Sequence, residues 1–371
     1  MISFVRIPAQ HAPIGGALTY GVETDAAAIC IRARRAAPED AGAEGAPQPG
    51  ALLGAKRFAG AGRVACDVAP FLRAAVRFVP TTGGTGFRPA DDRLVAVAVE
   101  AFAIGTGASD AASGEDDGDA APGSGTAGGQ QAGRIPSSDG PDAEPAATAA
   151  VRRFLPCAAA VAAPALMTSM PRERLIAPGE SDELTLLADA PLVVTVTAVR
   201  AGGGREVRTY RSAAAGLQLF RFDTRDFPGA ERATVDAGLC GSVSYALLPA
   251  PEGAQRLAWR TAEGSVEHYT FPIVRTRRVR VDRERVRGPE GIRSAAVRAE
   301  RRTTVESAYE ASAMLGALAG LLAAPQAWAA EPEGYRPVDI VTEEAVVHRH
   351  GTLSSFEATF RSTAETPQPW N

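Results

Sequence analysis

The sequence predicts a mainly β protein: tandem antiparallel, sandwich-like modules, a C-terminal α+β segment and one long disordered insert. Three observations carry this expectation. Short apolar runs rich in Val, Leu and aromatic residues recur along the chain, several with the period-two alternation of a half-buried strand. Clusters of Gly, Pro and Asp separate them at spacings suited to hairpins. Residues 105–150 are built from Gly, Ala, Ser, Pro, Asp and Glu, with Ile135 the only large aliphatic side chain and no aromatic one. Such a stretch buries too little apolar area to offset roughly 1–2 kcal/mol of backbone entropy per residue, so disorder is expected there.

The N-terminal module, expected over 1–165, starts from strand-like runs at 28–32 and 63–68. Between them a loop at 37–50 carries Pro38, Pro47 and Pro49. The apolar run 94–103 precedes the insert and 151–157 follows it, which makes them neighbouring strands joined by an overgrown loop. Loop-closure entropy grows slowly with length, so removing the insert is expected to leave the fold standing.

The second module, expected over 166–274, has the clearest strand signals. Residues 192–199 are β-branched and alternating, and the chain returns through 205–210 after Gly202, Gly203 and Gly204, as a hairpin does. A strand at 217–222 ends in the turn chemistry of 223–229, and 242–248 ends at Pro249. Strands 257–261 and 266–271 flank a second hairpin turn, with Gly264 placed for positive φ.

The final segment, 275–371, combines an Arg-rich strand at 279–281, a helix over 305–323 stopped by Pro325, and strands at 338–341, 345–348 and 356–360. The last of these puts Phe356, Ala358 and Phe360 on one face. The apolar run 311–330 has about the length of a membrane helix and contains Gly316-x-x-x-Gly320. Its abundance of weakly hydrophobic Ala and its break at Pro325 and Gln326 favour a buried helix of a soluble domain, with no membrane span.

Composition excludes the extremes. With 371 residues, 45% hydrophobic, 22% charged and a net charge of −4, the chain is neither wholly disordered nor a nucleic-acid coat. The basic residues are almost all Arg, since Lys56 is the sole lysine. Cys30, Cys66, Cys157 and Cys240 form no C-x-x-C pair and read as packing thiols, compatible with a reducing compartment. The start of the chain lacks the basic region, long apolar run and small-residue site of a secretory signal, so none is expected.

The search for chemistry yields no catalytic, cofactor-binding or metal-binding residue. Of the four histidines, His348 and His350 share a strand face at a spacing that can hold a metal, but no third ligand is near, so an exposed strand end is expected. His268, between Glu267 and Tyr269, reads as packing or a surface hydrogen bond, and His11 carries no motif. The glycines at 50–56 and 60–62 lack the spacing of a phosphate loop, and no nucleophile elbow or zinc helix occurs. The densest charge lies in 275–287, with further arginines to Arg302, interleaved with Asp282, Glu284, Glu290 and Glu300 and without aromatic residues. That pattern argues against nucleic-acid binding and for a solvated or subunit-facing strand, with Arg275, Arg277, Arg278 and Arg280 as candidate interface residues.

The run 257–271, with Trp259, a polar turn at Gly264, Tyr269 and Thr270-Phe271, resembles a hairpin of β-rich virion proteins from phages and prophages of gut anaerobes, a group associated with tails. Residues 63–72 and 166–171, and the 318–328 helix followed by 337–341, are similar to the same group. The resemblance implies a non-enzymatic virion or tail-assembly component, and the expected partners are further copies of the chain in a homo-oligomer and other virion or tail proteins. Its implied location is the cytoplasm during assembly and then the particle. A second reading stays open, a surface or carbohydrate-binding β-sandwich with Trp259, Tyr269 or Trp328 on an exposed platform. So does a third, an enzyme whose site is assembled from residues distant in sequence.

Overall fold

The computed structural model describes residues 1–36, 50–90, 93–104, 145–347 and 354–363. Among these the chain is mainly β, with five sheets and two α-helices. It divides into two compact units. The first joins Met1–Ala9, Leu18–Phe71 and Ala96–Arg152, and the second joins Gln10–Ala17, Leu72–Val95 and Arg153–Asn371. The expected division at 165/166 and 274/275 is therefore not the observed one.

In the first unit, strands Ile2–Arg6, Thr19–Thr24 and Gly62–Asp67 form an antiparallel sheet with Thr19–Thr24 in the middle. Alternation buries Tyr20 and Val22 on one side of it. A four-stranded sheet follows in the order Leu52–Ala59, Ala28–Arg35, Val95–Ala103, Ala147–Phe154. The strands on either side of the insert are thus neighbours, and the Ala146 amide donates to the Ala101 carbonyl at 2.9 Å. Residues 147–150, expected in the disordered insert, belong to a strand instead, because Ala149 and Val151 find an apolar face to bury. Residues 105–144 and the loop at 37–49 lie outside the described residues.

In the second unit two sheets share one core. The five-stranded sheet runs Glu173–Ile176, Ser242–Leu247, Ala230–Asp236, Val193–Arg200, Arg205–Arg211, with its first pair parallel and the rest antiparallel. The four-stranded sheet runs Gly86–Arg88, Gly216–Asp223, Ser181–Ala188, Ala165–Met167. Leu184, Leu186, Phe220 and Phe222 of one pack with Val196, Val235, Val243 and Tyr245 of the other, which makes a β-sandwich. Three of these strands recur below: Glu173–Ile176 (β1), Ser181–Ala188 (β2) and Ser242–Leu247 (β3).

The rest of the second unit is one antiparallel seven-stranded sheet. Its strands are Gln255–Arg260 (β4), Val266–Phe271 (β5), Ile273–Gly288 (β6), Gly291–Glu306 (β7), Ala327–Glu331 (β8), Gly334–Ile340 (β9) and Glu357–Ser362 (β10), ordered β5-β4-β8-β9-β10-β7-β6. The expected boundary at 274/275 falls inside β6, because β4 and β5 hydrogen-bond into the same sheet as the C-terminal strands. The β4–β5 turn needs Gly264, whose φ is +83° and whose Cβ would sit 3.1 Å from the Pro156 carbonyl oxygen.

A helix, Ser312–Ala319, covers this sheet and buries Met314, Leu315, Ala317 and Leu318 against Trp259, Phe271, Phe356 and Phe360. It is shorter than the expected 305–323. Val305 and Glu306 belong to β7, where cross-strand pairing with Val274 and Ala358 outweighs helix propensity. Phe356, Ala358 and Phe360 are all buried, as alternation required. The strand expected at 345–348 does not form over 345–347. No helix among the described residues is long and apolar enough to cross a membrane.

Candidate functional site

The Arg-rich segment forms far more strand than its apolar residues suggested. β6 and β7 are each 16 residues long and pair along their whole length, from Ile273↔Glu306 to Gly288↔Gly291. β10 covers only the base of β7, over Arg302–Glu306, and β6 is the edge of the sheet. From Val279 to the turn the ribbon has no other strand beside it among the described residues, a length of about 33 Å at roughly 3.3 Å per residue. Long cross-strand pairing forms here without a core because both strands are rich in β-branched and extended side chains and one tight turn, Gly288-Pro289-Glu290-Gly291, sets the register.

The register gives the ribbon two unlike faces, since directly opposed residues point the same way. One face continues the side on which Val305 is buried, and carries Arg277, Val279, Val281, Arg283, Arg285 and Arg287 from β6 with Arg301 and Val297 from β7. No carboxylate lies on it. Val279 is 62% and Ile292 65% exposed. The opposite face carries Arg278, Arg280, Asp282 and Glu284 from β6 against Arg302, Glu300 and Arg298. Here the charges pair within the chain: Arg280 Nε is 3.5 Å from Asp282, and Arg302 is bonded to Glu300.

The four candidate interface residues therefore do not share one surface. Arg275 sits in a bulge at the base, where its Nε lies 2.5 Å from Glu306 and 3.8 Å from Glu357. Arg277 projects on the carboxylate-free face, and Arg278 and Arg280 project on the mixed one.

The three candidate binding aromatics are in the core. Trp259 is 0%, Trp328 6% and Tyr269 8% exposed, so none forms the exposed platform of the carbohydrate-binding reading. They are buried because β4, β5 and β8 lie under the helix, where large apolar rings have the most area to remove from water. Trp328 does border a cavity of about 490 Å³, with Phe78, Pro80, Pro325, Tyr335 and Pro337.

Sequence reading missed a buried polar cluster. β2 is buried on both faces, so Asp182 and Glu183 must each find a partner on opposite sides of the strand. Glu183 pairs with Arg93 at 2.9 Å, both side chains fully buried. Asp182 Oδ2 takes hydrogen bonds from Arg174 of β1 at 2.8 Å and from the Tyr245 hydroxyl of β3 at 2.9 Å. Arg174 also lies 3.1 Å from Glu267 of β5, whose other oxygen accepts from Thr168 and Ser265. His268 Nδ1 approaches Asp182 Oδ1 at 3.1 Å without the angle of a good hydrogen bond, while its Nε2 is 2.9 Å from the Tyr335 hydroxyl. The signal in the sequence was Glu267-His268 inside an otherwise apolar strand, and Ser181-Asp182-Glu183 at the head of another.

Charge in this cluster is set by burial opposed by pairing. Burial alone raises the Asp182 carboxyl, but Arg174 and His268 outweigh it and hold it well below the usual carboxylate range. For Glu267 burial wins over Arg174 and its pKa is raised. Burial likewise lowers the His268 imidazole, against the pull of Asp182, which keeps the ring neutral. The space beside these groups is about 70 Å³, against the 300–1,000 Å³ typical of ligand pockets. Tyr335 lines the larger cavity and reaches the cluster through His268.

A neutral buried imidazole destabilises the fold in acid. Below pH 6.5 the unfolded chain protonates His268 while the folded chain does not, so stability falls by up to about 1.4 kcal/mol per pH unit until the lowered folded value is reached. His268→Gln is expected to flatten the dependence of urea midpoint on pH just below 6.5; an unchanged slope would show that the ring takes its proton inside the fold.

No family model matches this chain, and no curated protein matches it. Cys30, Cys66, Cys157 and Cys240 are free and buried, and burial pushes the Cys66 thiol up to about 11, the behaviour of an unreactive packing group. Among the described residues no group of three His, Cys, Asp or Glu is placed to hold a metal. His348 and His350 lie outside the described residues.

Proposed function

We propose that this chain is a non-catalytic assembly protein, as the virion or tail-component resemblance implies, and that it engages its neighbours through the β6–β7 ribbon. The single observation that carries this reading is the ribbon itself, two 16-residue strands of which, among the described residues, only the base pairs with another strand. A two-stranded ribbon is marginal alone in water, and Val279 and Ile292 stand exposed on it. Exposed apolar side chains among arginines match the composition of protein interfaces, where Arg is enriched. The charged cluster around Asp182 supports the same reading, since it ties β1, β2, β3 and β5 together and borders a space too small for a substrate.

The test is a shortened ribbon. Replacing 279–301 with Asn-Gly joins Arg278 to Arg302 through a tight turn and leaves the β10 pairing intact. Size-exclusion chromatography with light scattering is expected to show concentration-dependent oligomers for the full chain and a monomer for the shortened one, at an unchanged melting temperature. Oligomers of equal size for both chains would overturn the proposal.

A further inference from the structure

The two faces of the ribbon differ in what they can meet, and the mixed face is complementary to itself. Along β6 its charges run Arg278, Arg280, Asp282, Glu284, two positive and then two negative. Opposite them on β7 stand Arg302, Glu300 and Arg298. A two-fold axis lying across the strands between the 280 and 282 rows brings this face onto the same face of a second copy. It sets Arg280 over Asp282, Arg278 over Glu284 and Glu300 over Arg298, each with its opposite charge. The carboxylate-free face has no such arrangement, because it holds no acidic side chain for an arginine of a second copy to meet.

From this, and resting on the assembly reading above, we infer that the mixed face of the ribbon is a two-fold self-docking surface whose partner is a second copy of this chain. Antiparallel pairing of β6 with β6 of a second copy through its backbone edge about the same row would also oppose Arg277 to Arg285, which docking through the mixed face alone avoids. The ribbon offers about 400 Å² per copy, the low end of specific interfaces, so the dimer is weak and sensitive to salt.

The experiment is a charge swap on the full chain, read as the dimer–monomer midpoint concentration by sedimentation equilibrium in low salt. Arg280→Asp alone and Asp282→Arg alone each place like charges opposite one another twice per dimer, and each is expected to raise the midpoint about tenfold. The double variant Arg280→Asp/Asp282→Arg restores every opposition and is expected to return to within about threefold of the parent. Arg280→Asp also faces Glu300 and Asp282→Arg also faces Arg298 across the ribbon of the same chain, but both side chains are more than half exposed, so each swap is expected to cost less than about 1 kcal/mol of stability. Arg283→Glu with Arg285→Glu, on the other face, should leave the midpoint unchanged.

A double variant as weak as the singles overturns the inference, as does a midpoint that moves only with Arg283 and Arg285. If the shortened ribbon abolishes assembly while the 280 and 282 variants do nothing, the assembly reading stands and this face is the wrong one. If shortening also leaves assembly intact, both fall.

Discussion

Arg174→Met is expected to lower the unfolding free energy of the second unit by about 3–5 kcal/mol. Arg174 is the cation between Asp182 and Glu267, at 2.8 and 3.1 Å, and all three side chains are no more than 3% exposed. Removing it leaves two carboxylates close together in a low-dielectric interior, each without the charge that held it there. Met fills a similar volume, so the loss is electrostatic rather than a cavity. Urea unfolding followed by far-UV circular dichroism measures it. Two further results fix the cause. In the Arg174→Met background, Glu267→Gln is expected to recover part of the loss, because a neutral amide needs no counter-charge. The deficit should also shrink as pH falls, since Glu267, already raised by burial, protonates more readily once Arg174 is gone. A loss under about 1 kcal/mol would mean that water reaches the cluster.

Trp259→Ala is expected to cost about 3–5 kcal/mol, through the cavity it leaves. The ring is fully buried between β4 and the Ser312–Ala319 helix, within a cluster that includes Phe271, Leu315, Leu318 and Phe356. With typical domain stabilities of about 5–15 kcal/mol, such a loss brings the unit near its threshold. Trp259→Phe keeps most of the apolar volume and should cost much less. The Trp259 Nε1–H has no acceptor among the described residues, so the smaller ring forfeits no hydrogen bond to them. Denaturation midpoints of the pair, against the exposed Val279→Ser as a control expected within about 0.5 kcal/mol, decide the matter. Equal losses for Ala and Phe would point to ring shape, not volume, as what this core reads.

Much of the β architecture is local in origin and could be read from residues alone. Val193–Arg200 and Arg205–Arg211 alternate strongly and are joined by glycines with positive φ at Gly202 and Gly203, so neither strand needs distant information to be recognised. The same holds for the β4–β5 hairpin at Gly264 and for the buried face of Phe356, Ala358 and Phe360. Where local preference and tertiary pairing disagreed, the reading failed. Val305 and Glu306 sit before a helix-forming run, yet Ala358 and Val274 were waiting on either side of them. Residues 147–150 are as small as the insert they follow, and only the neighbouring strand Val95–Ala103 makes a strand of them.

The sequence by itself determined the class of the protein, the places where strands turn, and the packing role of its cysteines, because each depends on residues a few positions apart. The tertiary structure alone decided that Arg174, Asp182, Glu267 and His268 converge, since β1, β2 and β5 meet there from positions far apart along the chain. It also decided that the arginines of the ribbon divide into two faces with different chemistry. A cross-strand register brings Arg280 opposite Glu300 and Asp282 opposite Arg298, and which charges face one another across a sheet is set by that register, not by the order of residues along either strand.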